Sequence, residues 1–122
     1  MTGVIHWIIV SLIQTIVELT EFQQRANRLM RLDEKKQLVD CLAAHPMAGV
    51  LIKGSGGIRK LRWSVGVKGK SGGVRIIYYY HNTSIPLFLL SVFAKQDQIN
   101  LYRDEVSKLT TLLKQQYLAT DG

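Results

Sequence analysis

The period of apolar and polar positions changes along the chain, and the changes mark out the elements. Residues 15–19 (Thr-Ile-Val-Glu-Leu) are rich in β-branched side chains and predict a strand. Thr20 is a residue of helix-capping type. Phe22, Ala26, Leu29 and Met30 then recur at helical spacing, which predicts a first helix over residues 21–30. Residues 32–44 predict a second helix, with Leu38, Val39 and Leu42 on one stripe and Asp33, Glu34, Lys35 and Lys36 toward water. Asp33 and Glu34 suit the positive end of that helix, and Pro46 stops it. A short turn near Arg31 makes the two helices a hairpin.

The middle of the chain has a different rhythm. Gly54, Gly56 and Gly57 mark a loop. Residues 58–67 then alternate, with Leu61, Trp63, Val65 and Val67 facing one way and Lys60, Arg62 and Ser64 the other. A turn of Gly and Lys fills residues 66–73, and residues 74–81 form an aromatic and β-branched strand. His81-Asn-Thr-Ser84 is a polar turn, and residues 85–94 form the third consecutive strand. The three strands predict an antiparallel meander. Ser55-Gly-Gly-Ile-Arg59 and Ser71-Gly-Gly-Val-Arg75 look like two similar turns, each leading into a strand. Further on, Tyr102, Val106, Leu109, Leu113 and Tyr117 fall at i, i+4, i+7, i+11 and i+15, an amphipathic helix over residues 101–116. The order β-α-α-β-β-β-α, with helices packed on one face of a mainly antiparallel sheet, is an α+β fold.

The 122 residues suffice for one core, which we expect over residues 15–117, preceded by an N-terminal extension (1–14) and followed by a tail (118–122). Residues 4–17 are apolar but lack a basic leader and fall short of a bilayer span, so neither a signal peptide nor a membrane anchor is expected. The single cysteine, Cys41, permits no intrachain disulfide and reads as a small buried hydrophobe.

Charge adds what periodicity cannot. The formal net charge is +7. Between Cys41 and Gln96 there is no Asp or Glu, while Lys53, Arg59, Lys60, Arg62, Lys68, Lys70, Arg75 and Lys95 all lie there. The remainder holds eight basic and nine acidic residues, so the whole excess sits in one segment. A field so concentrated suits a polyanion, most often a phosphate backbone.

Other chemistries find less support. Gly66-Val-Lys-Gly-Lys-Ser71 fails as a phosphate loop, because position 64 is serine and a strand follows instead of a helix. His6, His45 and His81 are scattered and no Cys/His pair has ligand spacing, so neither metal nor cofactor is expected. No nucleophile elbow is present. What remains is the sheet. Alternation puts Lys60 with Arg62, Arg75 with Ile77 and Tyr79, and Ser91 with Phe93 and Lys95. If those faces coincide, the sheet carries a basic surface edged by aromatic rings, suited to phosphates and unpaired bases.

The strings Pro46…Gly54-Ser-Gly-Gly-Ile-Arg-Lys-Leu-Arg-Trp63, Gly69-Lys-Ser-Gly-Gly-Val-Arg-Ile-Ile-Tyr-Tyr-Tyr80 and Leu89-Leu-Ser-Val-Phe-Ala-Lys95 resemble the RelE/ParE superfamily of bacterial toxins, and within it the HigB-like branch, over residues 16–113. The resemblance implies a RelE-like fold and a cytoplasmic toxin of a type II toxin–antitoxin system. It implies a metal-independent endoribonuclease that binds the ribosomal A site and cleaves messenger RNA by 2′-hydroxyl attack. It also implies a neutralising antitoxin, of the HigA helix-turn-helix type. Lys60 matches a functional lysine of the family's first meander strand, Arg75 the arginine of its Arg-hydrophobic-hydrophobic-Tyr strand, and Tyr102 a tyrosine that stacks on the base and assists chemistry. Lys60, Arg62, Arg75, Lys95 and Tyr102 are thus the expected catalytic set, with Arg59, Lys68, Lys70, Tyr79 and Phe93 expected to contact RNA. The chain departs from RelE at Gln96, where RelE has an arginine, and Lys95, Arg59 or Arg62 are the cations that compensate. The competing readings are a ParE-like inhibitor of DNA gyrase and an inactive RNA-binding relative.

Overall fold

A computed structural model describes residues 14–66 and 73–94, together with positions 107, 108, 111, 113 and 115. The described elements are β1 (Ile16–Glu18), α1 (Thr20–Leu29), α2 (Leu32–Ala44), β2 (Val50–Leu51), β3 (Ile58–Trp63), β4 (Val74–Tyr79) and β5 (Leu87–Ala94). The α+β class, the helical hairpin and the meander are as expected. Ser107, Lys108, Thr111, Leu113 and Gln115 are helical, and the rest of the expected C-terminal helix lies outside the described residues.

Helix α1 begins at Thr20 itself, not after it. Leu19 is the capping position and makes no side-chain capping bond, its carbonyl accepting from Gln23 N–H at 3.0 Å. Helix α2 ends at Ala44, ahead of Pro46. Glu34 was expected in water, but it is nearly buried. Its Oε1 accepts from Arg31 N–H and its Oε2 from Gly66 N–H, each at 2.8 Å. One carboxylate thus satisfies a free donor at the start of α2 and ties down the chain leaving β3. Lys35 is drawn out of the expected solvent face by Glu18 of β1, at 2.9 Å.

The sheet order is β1-β5-β4-β3-β2. β1 pairs in parallel with β5, and the other neighbours are antiparallel. The two-residue edge strand β2, pairing Val50 with Lys60 and Leu51 with Arg59, was not expected, since a pair of residues carries no readable period. Gln14 docks at the other end of the domain, its N–H donating to Ala43 O and its Nε2 to Ile85 O, both at 2.8 Å.

Both faces of the sheet are apolar in part. On one, Val74, Ile76, Tyr78, Leu87, Leu89 and Val92 pack against Phe22, Ala26, Met30, Leu38 and Leu42 of the helical hairpin. On the other, Ile58, Ile77, Tyr79, Phe88, Leu90 and Phe93 pack with Leu113 of the C-terminal helix. The helices therefore do not all lie on one face, as the sequence led us to expect. Each full burial of a Leu, Ile or Phe contributes about 1.5–3 kcal/mol, so two clusters explain how so thin a chain stays folded.

A bulge in β5 makes the second cluster possible. Ile77 pairs with Ser91 and Tyr78 with Leu89, leaving Leu90 as the extra residue. Leu87 and Leu89 consequently face the hairpin, while Phe93 falls on the face of Ile77 and Tyr79. Without the bulge, strict alternation would put Phe93 beneath the helices.

Candidate nucleic-acid interface

The register settles which cations share a face. Lys60 is the Cα partner of Ile77, and Ile77 of Ser91. Arg62 is the partner of Arg75, and Arg75 of Phe93. Two parallel rows therefore cross the sheet, Lys60–Ile77–Ser91 and Arg62–Arg75–Phe93, and both lie on the face opposite the helical hairpin. Arg62 is exposed, and Lys60 and Arg75 are half-buried.

Beyond the Lys60 row the same face turns apolar. Ile58 pairs with Tyr79, and Tyr79 with Phe88. Leu113 belongs to this cluster. The face is thus graded, with cations at one end and a covered apolar patch at the other. Tyr79 stands four residues along β4 from Arg75, about 14 Å away. It is only 2% exposed, and burial holds its phenol above the ordinary tyrosine range. His81 stacks against it, ring centroids 6.4 Å apart and planes inclined at 6°. Tyr79 and Phe93 were expected as stacking platforms for bases, yet both are buried side chains. Ser91 lies fully buried in the Lys60 row with its Oγ unpartnered.

Arg59 does not join the cations. It pairs with Tyr78, on the hairpin face, and its Nη1 donates to Gly49 O at 2.8 Å. Tyr78 is the hub of that corner. Its hydroxyl donates to Pro46 O and accepts from Gly49 N–H, both at 2.8 Å. A Cβ on Gly49 would lie 2.9 Å from the Tyr78 hydroxyl and from Lys60 O, so this position has no room for a side chain. Tyr78 and Arg59 thus fix the chain that leads through β2 to Lys60.

Two glycines frame β3 and β4, as the repeated Ser-Gly-Gly strings implied. Gly57 and Gly73 have φ of 127° and 57°. A Cβ at Gly57 would meet the Tyr79 ring at 2.7 Å, and one at Gly73 the carbonyl of Trp63 at 2.3 Å. Each strand therefore begins at a left-handed residue that only glycine fits, and this sets the phase in which Lys60, Arg62 and Arg75 share a face.

Lys68, Lys70, Lys95 and Tyr102 lie outside the described residues, as does Gln96. One basic residue missed in the sequence does reach the face. Arg25 of α1 places its guanidinium carbon 4.5 Å from the centre of the Phe93 ring. It lies outside the acid-free segment, and only the tertiary fold brings it there.

Among the described residues every carboxylate belongs to β1, α1 or α2. The two guanidinium groups of Arg62 and Arg75 thus stand as cross-strand neighbours on β3 and β4, two strands that carry no acid. Guanidinium forks match phosphate oxygens in pairs, so a phosphodiester is the anion this geometry receives best. No three His, Cys, Asp or Glu side chains come together among the described residues, and no described helix is long and apolar enough to cross a membrane.

Two comparisons bear on this arrangement. A sequence profile described as the RelE toxin of the RelE/RelB toxin–antitoxin system matches residues 16–121. Among solved structures, the free state of an E. coli RelE toxin with two arginine-to-alanine substitutions is similar at a TM-score of 0.56 and 17% identity. That likeness covers 79% of this chain and 97% of the other, and at such identity it speaks for the fold.

Proposed function

This chain belongs to the RelE toxin family, and from that membership we propose that it is an endoribonuclease acting on messenger RNA in the ribosomal A site. The observation that carries the reading is the Arg62–Arg75 pair, with Lys60 two residues along the same strand and on the same face.

In this reading the RNA supplies its own nucleophile. The 2′-oxygen bonds to the adjacent phosphorus as its proton leaves to a base, and the bond from phosphorus to the 5′-oxygen breaks. The products are a 2′,3′-cyclic phosphate and a 5′-hydroxyl, the latter completed by a proton from an acid. Negative charge builds on the non-bridging oxygens in the transition state. Arg62 and Arg75 are placed to meet it with preorganised donors. Lys60, about 7 Å from Arg62 along β3, serves as the acid at the leaving oxygen. Lys95 or Tyr102 supplies the base. The chemistry needs no resident metal or cofactor.

The HigB-like branch, the cytoplasm as the site of action and a HigA-type antitoxin as partner complete the proposal. They rest on the strings around Lys60, Arg75 and Lys95.

Primer extension on messenger RNA after brief induction tests the reading, with Arg75→Ala as control. New 5′ ends inside translated codons, absent with the control, are the expected result. Growth arrest with intact messenger RNA would overturn it in favour of a gyrase inhibitor.

A further inference from the structure

Tyr79 ends β4, and its ring lies on the side of the sheet that carries Lys60, Arg62 and Arg75. That ring is held on several sides. It is 2% exposed, it packs with its cross-strand partners Ile58 and Phe88, and a Cβ on Gly57 would come within 2.7 Å of it. His81, two residues further on, lies parallel to the ring, with planes inclined at 6° and centroids 6.4 Å apart, an offset stack. Unlike Tyr79, His81 is exposed. Its imidazole has no hydrogen-bond or ion-pair partner among the described residues. One side of the imidazole is thus seated on a fixed ring, and the remainder meets solvent.

We propose that His81 is a platform on which one unpaired base stacks, a second contact for the RNA strand held at the cationic end of the same face. This rests on the reading of that face as an RNA site. Three features support it. His81 lies six residues along the chain from Arg75, about 20 Å in extended backbone, so one nucleotide cannot touch both but an extended strand of a few nucleotides can. Every base has a π-face that an exposed aromatic side chain can take, and a ring already braced from behind takes it without first being ordered. The surroundings also suit a polyanion. Tyr80 N–H donates to Gly57 O at 3.4 Å, so His81 stands beside the loop that Lys53 opens, and no Asp or Glu occurs between Cys41 and Gln96. Stacking adds no charge. The platform therefore biases which sequence the cations hold, favouring a purine for its larger π-face.

The test is the fluorescence of 2-aminopurine placed at successive positions of a single-stranded 2′-O-methyl RNA, which cannot supply the nucleophile. Titrating the full chain should quench the probe at one position. His81→Ala should abolish that quenching and weaken binding roughly fivefold or more. The slope of log affinity against log salt should stay parental, because no phosphate contact is lost. His81→Phe, which keeps a ring, should restore both quenching and affinity. An abasic unit at the quenched position should weaken the parent as His81→Ala does, and should cost His81→Ala nothing further. Thermal melting of each variant separates folding from binding. Parental binding by His81→Ala, a loss that His81→Phe does not repair, or losses from the abasic unit and His81→Ala that simply add would overturn the inference. RNA binding that Arg75→Ala leaves untouched, or no binding by the parent, would instead remove the reading of the face and this inference with it.

Discussion

Arg62 and Arg75 are directly opposed in the antiparallel β3–β4 ladder, two cations on one face of neighbouring strands. The chain pairs charges elsewhere, as in Arg25 with Glu21, Arg31 with Asp33, Lys35 with Glu18 and Lys36 with Asp40. On the sheet it puts like beside like. Cross-strand partners stand about 5 Å apart, and like charges there are destabilising.

Removing one of the two should therefore trade activity for stability. Arg62→Gln is expected to raise unfolding free energy by about 0.2–1 kcal/mol and to lower RNA cleavage sharply. Urea denaturation beside a cleavage assay reads both. A less stable Arg62→Gln protein would show that the guanidinium is held by the fold and not by a ligand.

The extent of α2, the meander and the shared side of Lys60 and Arg62 on β3 were legible because each rests on a sustained local period, whereas Arg75 joins them only through the β3–β4 register. Pairing within β3–β4–β5 then only had to match hydrophobic sides. The bulge at Leu90 was not legible, because an extra residue in an all-apolar strand leaves no mark in the pattern. Nor were the burial of Tyr79 and Phe93, whose rings look alike in sequence whether they face RNA or Leu113. Arg59 misled for the opposite reason. It sits in the basic string, but alternation sends it to the hairpin face, where the Gly49 carbonyl claims it. Arg25 and Glu34 act across 68 and 32 residues of chain, distances at which no single-sequence period operates.

The Tyr78 hydroxyl is both donor and acceptor in a closed corner. Tyr78→Phe leaves the buried Gly49 N–H and the Pro46 carbonyl without that partner. It should cost about 1–3 kcal/mol, seen as a lower urea midpoint with unchanged slope. Since Gly49 precedes the residue paired with Lys60, cleavage by the folded variant should fall only modestly. A variant as stable as the parent would mean the corner is held by Arg59 alone.

Tyr78 and Tyr79 give the domain an alkaline limit. Burial raises both phenols above the ordinary value, with the Gly49 N–H partly opposing the rise at Tyr78. The unfolded chain loses these protons near pH 10, while the folded chain still holds them. The unfolded state then binds fewer protons, so stability falls with rising pH. The contribution is complete below about pH 10 and is lost as pH climbs through the folded values. Tyr79→Phe should leave stability at neutral pH little changed and make the alkaline fall shallower. Denaturation curves from neutral to alkaline pH decide it, and an unaltered fall would assign the limit to other groups.

Glu34 is one carboxylate with two structural duties, at Arg31 N–H and at Gly66 N–H. Glu34→Gln turns one acceptor oxygen into a donor, so one of the two amides must lose its partner. The expected cost is about 1–3 kcal/mol, and Glu34→Ala should cost more because both amides are orphaned. The consequence reaches the site because Gly66 lies four residues after Arg62 in the chain. A loosened Gly66 frees the end of the strand that aims Arg62, so cleavage should drop further than stability alone explains. Hydrogen exchange at single amides separates the two duties. Faster exchange at Gly66, with lowered cleavage in protein that remains folded, marks the tether as a positioning device for the cationic face. Faster exchange confined to Arg31, with cleavage intact, would reduce Glu34 to the capping of α2.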